Sequence, residues 1–151
     1  MSHIYHYSLA NYIVLIKEYK MRLPWGNVTL DEIKRMSLKE VNEIDSEGCT
    51  ALMEAVMQNN IGIVRLLLDK GVMDLVLTKV DKNLTVLMVA VSLNHSNIVK
   101  LLLAQGAKSI VNVKDPFGIT ALMYAAKYNH LDMVKLLLAN NAQDSIIKNL
   151  P

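Results

Sequence analysis

Between Asp45 and Ala142 the apolar and polar positions fall into a block pattern that occurs three times. Each block opens on a polar stretch that ends in a threonine: Thr50, Thr85 or Thr120. A run rich in Ala, Val, Leu and Met follows, marked in the third block by Leu122, Met123, Ala125 and Ala126 at helical spacing. A threonine just ahead of such a run offers a hydroxyl that accepts from the first unpaired amides of a helix. The run stops at Asn59, Asn94 and Asn129, and asparagine tolerates the left-handed backbone that closes a helix. A second apolar stripe follows, carried in the third block by Leu131, Val134, Leu137 and Leu138. It closes at Gly71 and Gly106 in the first two blocks and near Asn140 in the third. Each block therefore predicts a helix, a turn, a second helix and an extended loop.

The three threonines stand 35 residues apart, as do Leu68, Leu103 and Leu138, the last residue of each Leu-Leu-Leu triplet. Two independent markers that hold one period twice define an internal repeat. Neither helix of a block is long enough to be stable alone in water. Each has one apolar face and must stack on a neighbour, which predicts a quasi-linear array in which each repeat touches only the next. Leu67, Leu102 and Leu137 are expected between the helix pairs.

The pattern D-x-x-G-x-T-x-L-x-x-A, an Asn-His turn, and V-K-L-L-L-x-x-G-A resembles the ankyrin repeat over residues 45 to 143. The resemblance implies an all-α ankyrin solenoid, built from antiparallel helix pairs joined by β-hairpin-like fingers. The repeats run over about 45–80, 81–114 and 115–151, within one structural domain. Four departures stand out. The family's T-P-L-H reads T-A-L-M, T-V-L-M and T-A-L-M, which places Met53, Met88 and Met123 where a histidine is usual. An adaptable apolar side chain thereby replaces a hydrogen-bonding one. The period exceeds the usual ~33, with extra residues in Met73 to Val80 and Lys108 to Lys114. The middle repeat is one residue short between Asp81 and Thr85, so Asn83 is expected to take the left-handed position held by Gly48 and Gly118. Asn141 stands in place of the last glycine.

Residues 1–44 read as a divergent N-terminal helical cap, a degenerate helix pair. Tyr7 to Lys20 forms one predicted helix, with Leu9, Ile13 and Ile16 on a stripe, and Pro24-Trp25-Gly26 breaks it. Thr29 and Glu32 make a capping-box pattern that opens a second. Leu30 to Met36 resembles Leu131 to Leu137, and Val41 to Asp45 resembles Val111 to Asp115, which sets the register. At the other end, Ser145 to Pro151 contains no predicted capping helix. Leu131, Met133, Val134, Ile146 and Ile147 then form an apolar patch that invites self-association through the C-terminal repeat.

Composition narrows the function. A formal charge of +2 without any run of Lys or Arg gives no basic stripe for nucleic acid. The apolar stretch Ile13 to Ile16 is too short to span a bilayer, and no leader peptide is expected. The single cysteine, Cys49, permits no internal disulfide and suits a reducing, cytoplasmic setting, that of a host cell if the protein is a secreted effector. No nucleophile elbow, phosphate loop or metal-ligand spacing occurs, so neither catalytic residues nor cofactors nor metals are expected. His95 and His130 occupy matching repeat positions and are assigned to turns. Asp45, Asp81 and Asp115 are assigned to fixing the finger turns through backbone hydrogen bonds. Asn42 and Asn112 sit where many ankyrin proteins carry a hydroxylated asparagine, but the residues inserted before Asn112 weaken the correspondence and no modification is expected.

What remains is a binding surface for another protein. The resemblance places it on the concave face, made by finger tips and the exposed side of each first helix. By position this comprises Ser46, Glu47, Cys49, Met57 and Gln58 in repeat one. Repeat two contributes Lys82, Leu84, Ser92 and Leu93; repeat three contributes Pro116, Phe117, Ile119, Lys127 and Tyr128. The expected role is that of an adapter or inhibitor without turnover. The alternatives are a toxin-immunity protein, a secreted effector, or an oligomerising piece of a larger protein.

Overall fold

The computed structural model describes residues 28–43, 50–72, 76–77 and 84–142. The expected helix at Tyr7 to Lys20, the tips of the first two fingers with Asn83, and the segment from Ser145 lie outside the described residues. The elements are α1 (Leu30–Arg35), α2 (Leu38–Val41), α3 (Ala51–Met57), α4 (Ile61–Asp69), β1 (Val76–Leu77), β2 (Leu84–Thr85), α5 (Val86–Ser92), α6 (Ser96–Ala104), α7 (Ala121–Lys127) and α8 (Leu131–Ala139). A 3₁₀ turn over Ala107–Ile110 takes up part of the insertion expected as open loop.

The helices pair as α3 with α4, α5 with α6, and α7 with α8. The first helices stack in the order α3, α5, α7, and α4 packs against α6. Helix α1 rests on α4, the second-helix row, as the similarity of its sequence to Leu131–Leu137 predicts. Lys70 fastens that contact: its Nζ donates to the carbonyls of Lys34 at 3.1 Å and Met36 at 3.0 Å. A cation there meets the exposed carbonyl end of α1.

Local chemistry explains the helix limits. Thr50, Thr85 and Thr120 each accept the amide of the methionine three residues on, at 3.2, 3.1 and 3.3 Å. The turns inside each pair use left-handed asparagines, with φ of 55° at Asn59, 59° at Asn94 and 59° at Asn129. Asn141 does the same at 67° where the other repeats have Gly71 and Gly106. Left-handed backbone costs an ordinary L residue ~1–2 kcal/mol. Asn94→Gly should therefore leave urea-denaturation stability almost unchanged, and Asn94→Val should lower it by ~1–2 kcal/mol. Equal stability of the two variants would contradict the turn assignment.

The N-terminal segment carries two capping boxes. Thr29 and Glu32 satisfy each other's amides, and so do Ser37 and Glu40. The Glu32 carboxyl is held below the ordinary carboxylate range by the Thr29 amide first and the Thr29 hydroxyl second. Ser37 does the same for Glu40. A carboxyl depressed on folding stabilises the folded form above its unfolded pKa, and that contribution fades as pH falls through the folded value.

Leu67, Leu102 and Leu137 are buried at 0%, 1% and 0% exposure, as the register requires. Met53 and Met88 are fully buried, and Met123 is half-buried. The matching repeat positions of His95 and His130 have a structural reason as well. His95 Nδ1 donates to the Val56 carbonyl at 2.9 Å, and His130 Nδ1 donates to the Val91 carbonyl at 3.1 Å. Each ring thus ties its repeat to the last turn of the preceding first helix. Asn60, at the same position of repeat one, caps its own helix instead, accepting from the Ile63 amide at 3.1 Å.

Candidate protein-binding surface

Finger three is the finger whose tip the structure describes. It is the turn Asp115-Pro116-Phe117-Gly118. The Gly118 amide donates to the Asp115 carbonyl, and the Asp115 amide donates to the Ile119 carbonyl, both at 2.9 Å. Aspartate, proline and glycine occupy the positions that a type I turn favours. Gly118 supplies the left-handed step at φ 77°.

Asp115 locks this turn from within. It is buried to 5% exposure, and its Oδ1 accepts from the Phe117 and Ile119 amides, each at 2.9 Å. Its Oδ2 accepts the hydroxyl of Tyr124, a buried residue of α7. The finger is thus bolted to its own first helix. Tyr124 stacks on Tyr128, with ring centroids 6.4 Å apart and planes 10° from parallel. Tyr128 meets the His130 ring at 6.0 Å, and Lys127 Nζ stands 5.7 Å from the Tyr128 centroid. This last geometry is that of a cation–π contact. At the base of the finger, Asn112 Nδ2 donates to the Asn141 carbonyl at 3.1 Å, which gives Asn112 a structural role.

The expected surface residues divide into several groups. Phe117 is 54% exposed, and Pro116, Lys127 and Gln58 are exposed as well. Met57, Leu93, Ile119 and Tyr128 are half-buried and pack partly on the core. Ser92 is also half-buried. Leu84 requires a correction. It lies in β2, pairs with Leu77 of β1, and is only 2% exposed, so it belongs to the core and offers no contact. Ser46, Glu47, Cys49 and Lys82 lie outside the described residues.

Two features lie beyond the sequence expectations. The Ser37–Glu40 box was legible as S-x-x-E. The Tyr124–Asp115 bond was not, because Tyr124 shares its repeat position with Glu54 and Val89, which show no common chemistry. Glu54 is buried at 6%, and its Oε1 accepts from Gln58 Nε2 at 2.6 Å.

A family model described as ankyrin repeats, in three copies, matches residues 26–112 and 71–149. The chain belongs to the ankyrin-repeat family. Ankyrin repeats are generally protein-interaction modules, and the family is generally non-enzymatic. No curated protein matches the chain. Among the described residues, no helix is long and apolar enough to cross a membrane, and no group of three or more His, Cys, Asp or Glu is placed to hold a metal ion.

Proposed function

We propose that this ankyrin-repeat chain is a non-catalytic recognition module, an adapter or inhibitor that grips its protein partner through finger three and the adjoining first-helix strip. The observation that carries the reading is Phe117, a large apolar side chain more than half exposed on a turn held from within by a buried aspartate. Single exposed apolar residues are common and mean little. Phe117 differs because its turn is fixed, so the ordering cost of placing it in a partner's pocket has already been met in folding. A single cysteine suits work in a reducing cytoplasm, whether of the producing cell or of a host. Immunity and effector roles are specific forms of the same inhibitory reading.

Affinity capture with the wild-type chain and with Phe117→Ser tests it. The partner held by the wild type should bind Phe117→Ser more weakly by ~2 kcal/mol or more, while thermal melting stays unchanged. Undiminished capture would place the contact elsewhere.

Self-association is a second reading, favoured by Leu131 at 63% and Leu138 at 46% exposure, whereas Met133, expected in this patch, is buried in the core at 2% and Val134 is half-buried. Leu131 and Leu138 lie seven residues apart on α8 and share a face. Sedimentation should then show concentration-dependent growth that Leu131→Ser and Leu138→Ser together abolish. A strict monomer at high concentration removes this reading.

A further inference from the structure

Along the described stretch that holds finger three, the exposed charged side chains have a single sign. Between residues 84 and 131 the exposed ionised side chains are Lys100, Lys108, Lys114 and Lys127. The same span contains one acidic residue, Asp115, and that side chain is buried and engaged by two amides and the Tyr124 hydroxyl. The next acid, Asp132, sits in the first turn of α8 with Lys135 three residues on. Among the described residues 84–131, no exposed Asp or Glu stands beside these lysines. The overall charge of +2 conceals this, because the acidic residues cluster toward the other end of the chain.

The positive charge is placed beside the apolar anchor. Lys114 precedes the finger directly, two residues before its proline. Lys127 is held over the Tyr128 ring, and that ring stacks on the Tyr124 that anchors Asp115. One contact chain thus joins the exposed Phe117 to the Lys127 rim. An apolar side chain on a fixed turn, flanked by lysines and with the turn's own aspartate buried, complements one kind of protein surface.

Resting on the recognition reading above, we infer that the partner of finger three is an acidic protein face: an apolar pocket that takes Phe117, rimmed by Asp and Glu side chains that meet Lys114 and Lys127. Lys100 and Lys108 extend the attractive field and raise the association rate more than the lifetime of the complex. The partner's carboxylates give the interaction its salt dependence, and Phe117 gives it its selectivity over other anions.

The test uses the full chain as bait against a displayed library of random peptides, with the enriched peptides resynthesised for titration. Expected binders carry several Asp or Glu around one large apolar residue. Their affinity should fall by about thirty-fold or more with Phe117→Ser, and by about tenfold or more with Lys114→Glu and Lys127→Glu combined. Raising the salt from low to several times physiological strength should weaken wild-type binding and should not weaken the double-glutamate variant, because salt there also screens the repulsion between the new carboxylates and the acidic peptide. Lys114→Gln with Lys127→Gln supplies the same comparison, with a smaller loss, if charge reversal at the end of α7 disturbs folding. Binders that depend on Phe117 but are neutral or basic, or that ignore salt, would overturn the acidic partner and leave the finger-three site standing. Binders unaffected by Phe117→Ser would overturn the site itself. Equal binding of a short single-stranded DNA oligonucleotide, indifferent to Phe117→Ser, would show a general anion surface and overturn the protein partner.

Discussion

Leu102→Ala should remove ~2–5 kcal/mol of stability, the largest loss expected from a single truncation in this chain. Leu102 is 1% exposed in α6, the second helix of the middle pair, and α6 packs on both α4 and α5. Truncation removes apolar surface from the core and leaves a cavity that neighbours on several helices cannot close. The loss is a large fraction of the ~5–15 kcal/mol that holds a domain of this size. A solenoid adds a second signature. Stability in such arrays is a sum of repeat and neighbour-interface terms, so damage in the middle uncouples the ends. Urea unfolding of Leu102→Ala should therefore become broader as well as earlier, with a lower apparent slope. Ala104→Ser, at an exposed position of the same helix, should do neither. A wild-type melting curve for Leu102→Ala would contradict the stacking.

The second large effect is expected at the bolt of finger three. Asp115→Ala leaves three donors without their acceptor: the Phe117 and Ile119 amides and the Tyr124 hydroxyl. The two amides can turn to water when the finger loosens. The hydroxyl lies on a residue that is only 1% exposed, so water does not readily replace the carboxylate there. Losing a buried, charge-assisted hydrogen bond costs ~1–3 kcal/mol, and loosening the finger adds to that loss. Tyr124→Phe should cost less, since it keeps the ring stack and both amide bonds. The two changes share one hydrogen bond and should not be additive. A double-mutant cycle by chemical denaturation should return a coupling of ~1 kcal/mol or more. Strict additivity would mean that the bond contributes nothing. Asp115→Ala should also weaken partner capture although its side chain touches no partner, because Phe117 would no longer be held in place.

The array was legible because periodicity reports burial directly. Thr50, Thr85 and Thr120 mark the helix starts, the left-handed asparagines mark the turns, and the leucine triplets mark the stacked faces. Each marker follows from local chemistry or from a 35-residue spacing readable in one dimension. The binding surface was less legible. Repeat position predicts which row a residue occupies, but not how deeply its own finger folds. Leu84 shows the difference: its row is the finger row, yet pairing with Leu77 turns it inward. Repeat position assigns Tyr128 to the exposed side of its first helix, yet stacking on Tyr124 sinks it halfway into the core. Both outcomes depend on tertiary partners that the repeat pattern does not encode. Matching repeat positions assign the histidines to turns, and they sit in those turns. Their reach to the Val56 and Val91 carbonyls, 39 residues back in each case, is a contact between repeats that no local pattern reveals.

Site-specific photo-crosslinking in the native cell tests the central claim most directly. The chain would carry a photoreactive phenylalanine analogue at position 117 and, in a separate protein, at position 100 on the exposed side of α6. The account predicts one dominant crosslinked protein from position 117, reduced by Asp115→Ala and missing from position 100. Crosslinks of equal yield from both positions, or from position 100 alone, would contradict finger three as the gripping surface.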